Sequence, residues 1–371
     1  SGLVVDDVWG IMKPTFQEMR SALQAQRMKV SFDTYDLTCD ELTRRILKKR
    51  IDIAPEYQRQ FRWDDERQSG LIESVLLGIP VPNLFMATSS TPDEAVVWEV
   101  VDGLQRSLSI VNFILEGEQR EELGLKVPLC LKGLSKLPEL NGCCFSDLPE
   151  DMRSTFLDRP IKVTVLNDKS DRQVRFDLFE RLNTGGISLT SQEVRSCIYR
   201  GVFLDLINEL SSNVDFRTVV VVPKKRQSDG SLQEYVLRFF AYLNGVEGFK
   251  HSVKEFLNSF IEKGNQYDEE LLDEYRDEFN RVMNYLARCF PNGLKRGGKG
   301  PTPANVFEGV SVGAAQALRV CPQLEVCSTN NWIDSKAFRG YTTSATNSLP
   351  KVKGRIAYAK EAFLNHGYIE P

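Results

Sequence analysis

An apolar run that ends at a glycine and continues as a helical pattern is the feature that most limits the fold of this chain. Ala95 to Val101 reads as a strand, Asp102-Gly103-Leu104-Gln105-Arg106 follows, and Leu108, Val111 and Leu115 recur at helical spacing. Such a turn leaves backbone N–H groups free at the positive end of the helix dipole, where a phosphate is stabilised. The pattern therefore predicts a strand–turn–helix corner that can hold an anion.

Two polar side chains of this corner lie off the apolar stripe of the predicted helix. Arg106 offers a two-pronged guanidinium for phosphate oxygens, and Gln105 can orient a water molecule or a base. The structural alternative is a corner whose arginine pairs with an acidic neighbour. The pentapeptide alone leaves both interpretations open.

Charge and histidine content exclude several classes of protein. The 371 residues carry a formal net charge of −4, so any contact with nucleic acid must use local basic patches. The sequence holds only His251 and His366, too few for a histidine-rich zinc site, an HNH nuclease or a Ser-His-Asp triad. No acidic triad typical of a two-metal nuclease is visible either.

The cysteines predict reduced thiols. None of the 8 forms a Cys-x-x-Cys pair, and Cys197 and Cys289 fall in apolar helical patterns. We therefore expect no disulfide framework. Because neither a signal peptide nor a membrane-spanning apolar run is evident, we expect a cytoplasmic protein without a membrane partner.

The periodicity predicts an α+β fold in three parts. Residues 1–30 read as a helical lead-in, residues 31–200 as a mixed α/β domain and residues 201–371 as a helical domain. In the middle part Leu84 to Thr88 and Ala95 to Val101 form a predicted hairpin, and Ile161 to Leu166 a further strand. Residues 116–160 are irregular and resemble an insertion.

Two further stretches are candidates for binding phosphates or nucleic acid. Pro55 to Trp63 places two arginines among three aromatic residues, a pattern that fits base stacking but equally a strand-to-helix link. Gly293 to Lys299 matches the glycine-lysine core of a P-loop, but it lacks the following Ser or Thr and a preceding strand. We interpret it instead as a mobile basic loop, with Lys295, Arg296 and Lys299 as candidate nucleic-acid contacts.

Four motifs in a fixed order resemble one known family. They are Tyr57-Gln58-Arg59 with Trp63, Leu71 to Pro80, Val101 to Arg106, and Phe179 to Asn183 with Gly186, Leu189 and Glu193. Over roughly residues 30 to 200 this series resembles the N-terminal domain of the GmrSD-type modification-dependent restriction enzymes, which has a ParB/sulfiredoxin-like fold and a DGQQR signature.

The resemblance implies a nucleotide-binding and NTP-hydrolysing module of bacterial antiphage defence. It assigns catalysis to Asp102, Gln105 and Arg106, with Asp102 as a candidate magnesium ligand. It assigns nucleotide or phosphate binding to Tyr57, Gln58, Arg59, Gly103 and Asn183.

The chain departs from the family pattern in two places. Leu104 stands where the signature has its first glutamine, which leaves hydrolysis open. The longer members carry a C-terminal HNH nuclease domain, for which this sequence offers neither the histidines nor the length. We therefore expect a sensor that acts with a separately encoded nuclease and, through it, on phage or modified DNA. The alternative is a non-catalytic DNA- or protein-binding adaptor that uses the same groove; the oligomeric state stays open.

Overall fold

A computed structural model describes residues 14–27, 31–53, 63–90, 96–125, 127–167, 172–182, 190–250, 252–327, 330–343 and 346–367. The chain divides into two compact units, Ser1–Asn183 and Thr184–Pro371. The first contains a five-stranded sheet with helices, and the described part of the second is helical. The predicted α+β fold followed by a helical part is therefore confirmed.

The sheet of the first unit is mixed. Its strands are β1 (Phe32–Thr38), β2 (Ile51–Asp52), β3 (Leu84–Ser90), β4 (Val96–Asp102) and β5 (Pro160–Leu166), in the order β1-β5-β3-β4-β2. The β1–β5 and β3–β4 pairs are antiparallel, whereas β3–β5 and β2–β4 are parallel. Strands β3 and β4 confirm the predicted hairpin, and its turn at residues 91–95 lies outside the described residues.

Helices of the first unit begin and end at residues with a local reason to do so. They are α1 (Phe16–Arg27), α2 (Cys39–Leu47), α3 (Asp65–Leu77), α4 (Leu104–Ile114), α5 (Glu118–Glu122), α6 (Glu150–Leu157) and α7 (Arg172–Leu182). Thr38 caps α2 and Asp64 caps α3 by accepting backbone N–H groups of the first turn. Gly78 ends α3 in the left-handed conformation, which glycine adopts without a steric penalty.

The segment predicted to be an insertion is part of the hydrophobic core. Leu129, Leu131, Leu134 and Phe156 are buried together with residues of the sheet and of α4. The prediction of wholly reduced cysteines is wrong in this segment, because Cys130 and Cys144 form a disulfide. Their separation of 14 residues gives no periodic signal, and only the fold brings the two thiols together.

The second unit consists of helices throughout its described part. They are α8 (Ser191–Ile198), α9 (Val202–Leu210), α10 (Val214–Val219), α11 (Ser231–Asn244), α12 (Val253–Gly264), α13 (Glu269–Cys289), α14 (Ala304–Val320), α15 (Lys336–Thr342) and α16 (Leu349–Leu364). Helix α8 lies in this unit. No helix in the described ranges combines the length and the apolar character that crossing a membrane requires.

Charged side chains are buried between the helices of the second unit. Glu308 on α14 accepts a hydrogen bond from Arg238 of α11 at 2.5 Å and another from Arg355 of α16. The side chains of Glu308 and Arg355 are 2% and 1% exposed. Helices α14 and α16 approach closely, since a Cβ on Gly313 would lie 2.7 Å from that of Ala359.

Candidate functional site

The predicted strand–turn–helix corner is present, and it depends on a glycine. Strand β4 ends at Asp102, Gly103 has φ 97° and ψ 13°, and helix α4 begins at Leu104. A Cβ on Gly103 would lie 2.4 Å from Cδ2 of Leu84, so both the backbone conformation and the neighbouring side chain require glycine. Gly103 supplies no side-chain cap, and the positive end of the α4 dipole lies at this turn, where an anion is stabilised.

Arg106 lies directly beside this turn. Its Nη2 donates to Oδ2 of Asp102 at 2.7 Å, one helical turn earlier. The same nitrogen is 3.2 Å from the position that a Gly103 Cβ would occupy. The side chains of Arg106 and Asp102 are 13% and 31% exposed, so the pair is sheltered but reaches solvent. Arg106 thus pairs with an acidic neighbour, as the structural alternative expects. The pair is nevertheless exposed enough for an anion to reach it.

The two residues between Gly103 and Arg106 face different surroundings. Leu104 is half-buried and packs against the hydrophobic core. Gln105 accepts a hydrogen bond from the backbone N–H of Trp63 at its Oε1, at 3.1 Å. This bond fixes the direction of the carboxamide and holds the end of the Pro55–Trp63 stretch at the corner.

A chain of buried polar groups behind Trp63 was not predicted from the sequence. Gln68 Nε2 donates to the Trp63 carbonyl at 3.0 Å, and Asn112 Nδ2 donates to Gln68 Oε1 at 2.9 Å. Arg120 then donates to Asn112 Oδ1 at 2.6 Å. Gln68, Asn112 and Arg120 are 3%, 6% and 4% exposed, and burial lowers the pKa of Arg120. They occupy ordinary helix positions, and no spacing in the sequence marks them.

Tyr57, Gln58, Arg59 and Asn183 lie outside the described residues, so their roles stay predictions. Glu193 is buried and forms a capping box with Thr190 at the start of α8. Its carboxylate accepts the Thr190 N–H at 2.7 Å, which accounts for it structurally.

The glycine-rich loop of the second unit is not a P-loop, because helix α13 precedes it and the described residues place no strand there. Arg296 donates to the carbonyl of Thr342 at 3.3 Å and also to its hydroxyl, and burial lowers the pKa of Arg296. Lys299 is exposed and Lys295 half-buried. Of the three candidate nucleic-acid contacts, Arg296 is therefore engaged within the protein.

The described residues contain no cluster of three or more His, Cys, Asp or Glu that could hold a metal ion. Asp102, the candidate magnesium ligand, uses one carboxylate oxygen for Arg106. A single carboxylate fits a magnesium ion that is bound mainly through nucleotide phosphates and water, but not a protein cage.

Comparison with known proteins supports the resemblance. The sequence model of the GmrSD restriction endonuclease N-terminal domain matches residues 43–200. No curated protein and no solved structure matches the chain. The matched range contains Asp102, Gly103, Gln105 and Arg106, and the structure brings these four together at one corner. Residues 43–200 are thus similar in sequence to the N-terminal domain of the GmrSD restriction endonucleases.

Proposed function

We propose that the first unit binds a nucleoside triphosphate and hydrolyses it, so that the protein acts as a nucleotide-dependent sensor. The observation that carries this proposal is the position of Arg106. Its guanidinium lies over the Gly103 turn, beside the N-terminus of α4, and is held there by Asp102. The positive end of a helix dipole and a guanidinium therefore converge on one spot that suits a phosphate.

Each residue of the corner has a role that its geometry supports. Arg106 would neutralise the charge that develops on the transferred phosphoryl group, which is a main source of catalysis in phosphoryl transfer. Gln105 would position the attacking water, with its carboxamide oriented by the Trp63 N–H. Asp102 holds Arg106 in place. A magnesium ion arriving with the nucleotide would supply further charge neutralisation.

Leu104 is compatible with this function. Its side chain packs on the hydrophobic core, so an apolar residue at this position stabilises the helix without replacing a group that faces the phosphate site. The departure from the DGQQR signature therefore leaves Gln105 and Arg106 in place at the corner. The family match supports a role in DNA restriction, and we propose that a separately encoded nuclease performs the cutting in the cytoplasm.

Hydrolysis of a panel of radiolabelled nucleoside triphosphates, with magnesium and without DNA, tests the proposal. We expect Arg106→Ala to lower phosphate release by about 10²–10³-fold, while the circular dichroism spectrum stays that of the parent. Arg153→Ala is the matched control, since it removes a surface arginine that pairs with Glu150 in the same unit. Phosphate release at the parent rate by Arg106→Ala would contradict the assignment.

The second candidate is the non-catalytic adaptor. It requires that the parent protein releases no phosphate from any nucleotide but binds DNA in a salt-dependent manner. The Asp102–Arg106 ion pair favours this candidate, because the guanidinium charge is neutralised within the protein and does not require a phosphate. Repeating the hydrolysis assay with phage DNA separates the two candidates, because the adaptor predicts DNA binding with no turnover.

A further inference from the structure

A basic turn lies beside two packed aromatic side chains in the first unit, and none of these residues is part of the Gly103 corner. The turn is Lys48-Lys49-Arg50, which connects α2 to β2 and is exposed. Its backbone is fixed to the sheet, because the Trp98 N–H donates to the Arg50 carbonyl at 2.9 Å. The aromatic pair is Tyr35 and Trp98, with ring centroids 4.9 Å apart. We call these five residues the basic–aromatic patch.

The charges of the patch are not neutralised within the described part of the chain. The two cations that precede the turn have partners, since Arg44 pairs with Asp40 and Arg45 with Glu41. No ion pair of Lys48, Lys49 or Arg50 occurs among the described residues. In a protein with a formal net charge of −4, three adjacent unneutralised cations form a strong local attraction for an anion.

The aromatic side chains define the kind of anion. Tyr35 is 40% exposed although it is packed against Trp98, so the ring is fixed and still presents surface to solvent. The Arg45 guanidinium lies 4.8 Å from the Trp98 ring centroid and supports the pair. A fixed, exposed aromatic ring next to cations is the arrangement on which an unpaired base stacks while its phosphates meet positive charge.

We propose that the basic–aromatic patch binds single-stranded nucleic acid, with phosphates on Lys48, Lys49 and Arg50 and a base on Tyr35. An isolated phosphate would use the cations but not the ring. A duplex would also use the cations, but its bases are stacked on one another and cannot reach the ring. The proposal does not depend on nucleotide hydrolysis, because none of the patch residues belongs to the Gly103 corner.

Fluorescence anisotropy of the full-length protein tests the patch, with a labelled strand of about 12 nucleotides and no NTP or magnesium. Oligo(dT) and oligo(rU) distinguish DNA from RNA, and a duplex of the same length is the comparison. We expect Tyr35→Ala to weaken binding of the single strand about tenfold and to leave binding of the duplex unchanged. Tyr35→Phe keeps the ring and should bind as the parent does.

The cations are tested by the triple variant Lys48→Gln/Lys49→Gln/Arg50→Gln. We expect the slope of log affinity against log salt to become shallower by about two, since three phosphate contacts are lost. The matched control, Lys250→Gln/Lys263→Gln/Lys336→Gln, removes the same charge from exposed positions elsewhere. Equal losses in both triple variants, or parent-like binding by Tyr35→Ala, would overturn the proposal whether or not the protein hydrolyses nucleotides.

Discussion

The Asp102 carboxylate accepts a hydrogen bond from the Arg106 guanidinium at 2.7 Å, across the first turn of α4. The pair closes over Gly103, where a side chain would lie 3.2 Å from Nη2 of Arg106. The sequence that forms the turn therefore also determines where the guanidinium rests. A phosphate that binds at the turn meets a cation already in place, which reduces the conformational entropy lost on binding.

Replacement of Gly103 by alanine should disturb both the fold and the site. The left-handed backbone and the contact with Leu84 together predict a loss of about 1–3 kcal/mol in the free energy of unfolding. Nucleotide turnover should fall as Arg106 is displaced. Gly70→Ala is the control, because Gly70 lies within α3 with nothing near its Cβ position, and alanine there should stabilise by about 0.5–1 kcal/mol. Urea denaturation measures both, and equal shifts would refute the prediction.

Glu308→Gln should strongly destabilise the second unit. The carboxylate bridges Arg238 and Arg355 in the interior, so its neutralisation leaves buried guanidinium charge uncompensated, at a cost of about 3–5 kcal/mol. Glu247→Gln provides the comparison, since the Glu247–Lys353 pair is 79% and 47% exposed and should contribute less than about 1 kcal/mol. A similar small effect for both variants in chemical denaturation would show that the buried pair is dispensable.

The Cys130–Cys144 disulfide should stabilise the first unit. It closes a loop that is attached to α3, where the Lys132 N–H donates to Ser69 Oγ at 2.9 Å. For a loop of this length the double variant Cys130→Ser/Cys144→Ser should lose about 3 kcal/mol. Cys321→Ser, which changes a half-buried free thiol, should behave as the parent does. If reductant leaves the melting temperature of the parent unchanged, the disulfide contributes nothing in solution.

Glu73 predicts a specific acid sensitivity. Burial raises the pKa of Glu73, but the Leu137 and Lys136 N–H groups, which donate to Oε1 at 2.9 and 2.7 Å, lower it below its ordinary value overall. The stabilisation is therefore fully present above the ordinary carboxyl pKa of about 4.3 and is lost as the pH falls through the lowered value. Glu73→Gln should reduce the pH dependence of the free energy of unfolding between about pH 6 and pH 2. Glu139→Gln, an exposed change in the same segment, should keep the parent profile.

Local structure could be predicted from the sequence because its causes are local. The caps at Thr38, Asp64 and Thr190 and the left-handed Gly78 depend on residues within one helical turn. The β3–β4 hairpin and the Gly103 turn also have local causes. At the Gly103 turn, an apolar strand pattern is followed directly by apolar residues at helical spacing.

Long-range contacts could not be predicted in this way. The disulfide joins residues that no period relates, and the chain from Trp63 through Gln68 and Asn112 to Arg120 joins three separate segments. The sequence also left two partners possible for Arg106, a bound phosphate or an acidic neighbour. An arginine suits both, so the residue type alone does not distinguish them. Tyr57, Gln58, Arg59 and Asn183 stay predictions of the family resemblance, as does its ParB/sulfiredoxin-like fold.

The burial of Arg355 determines how far the chain can be shortened. Its guanidinium donates to the Thr346 carbonyl at 2.7 Å and to Glu308, and the Ala359 face of the same helix covers Gly313. A truncation that removed this last helix would strip the countercharge from an interior carboxylate and open a glycine-lined groove to water. We therefore expect limited proteolysis to leave this last helix intact. A stable fragment of this region must retain the segment through Leu364.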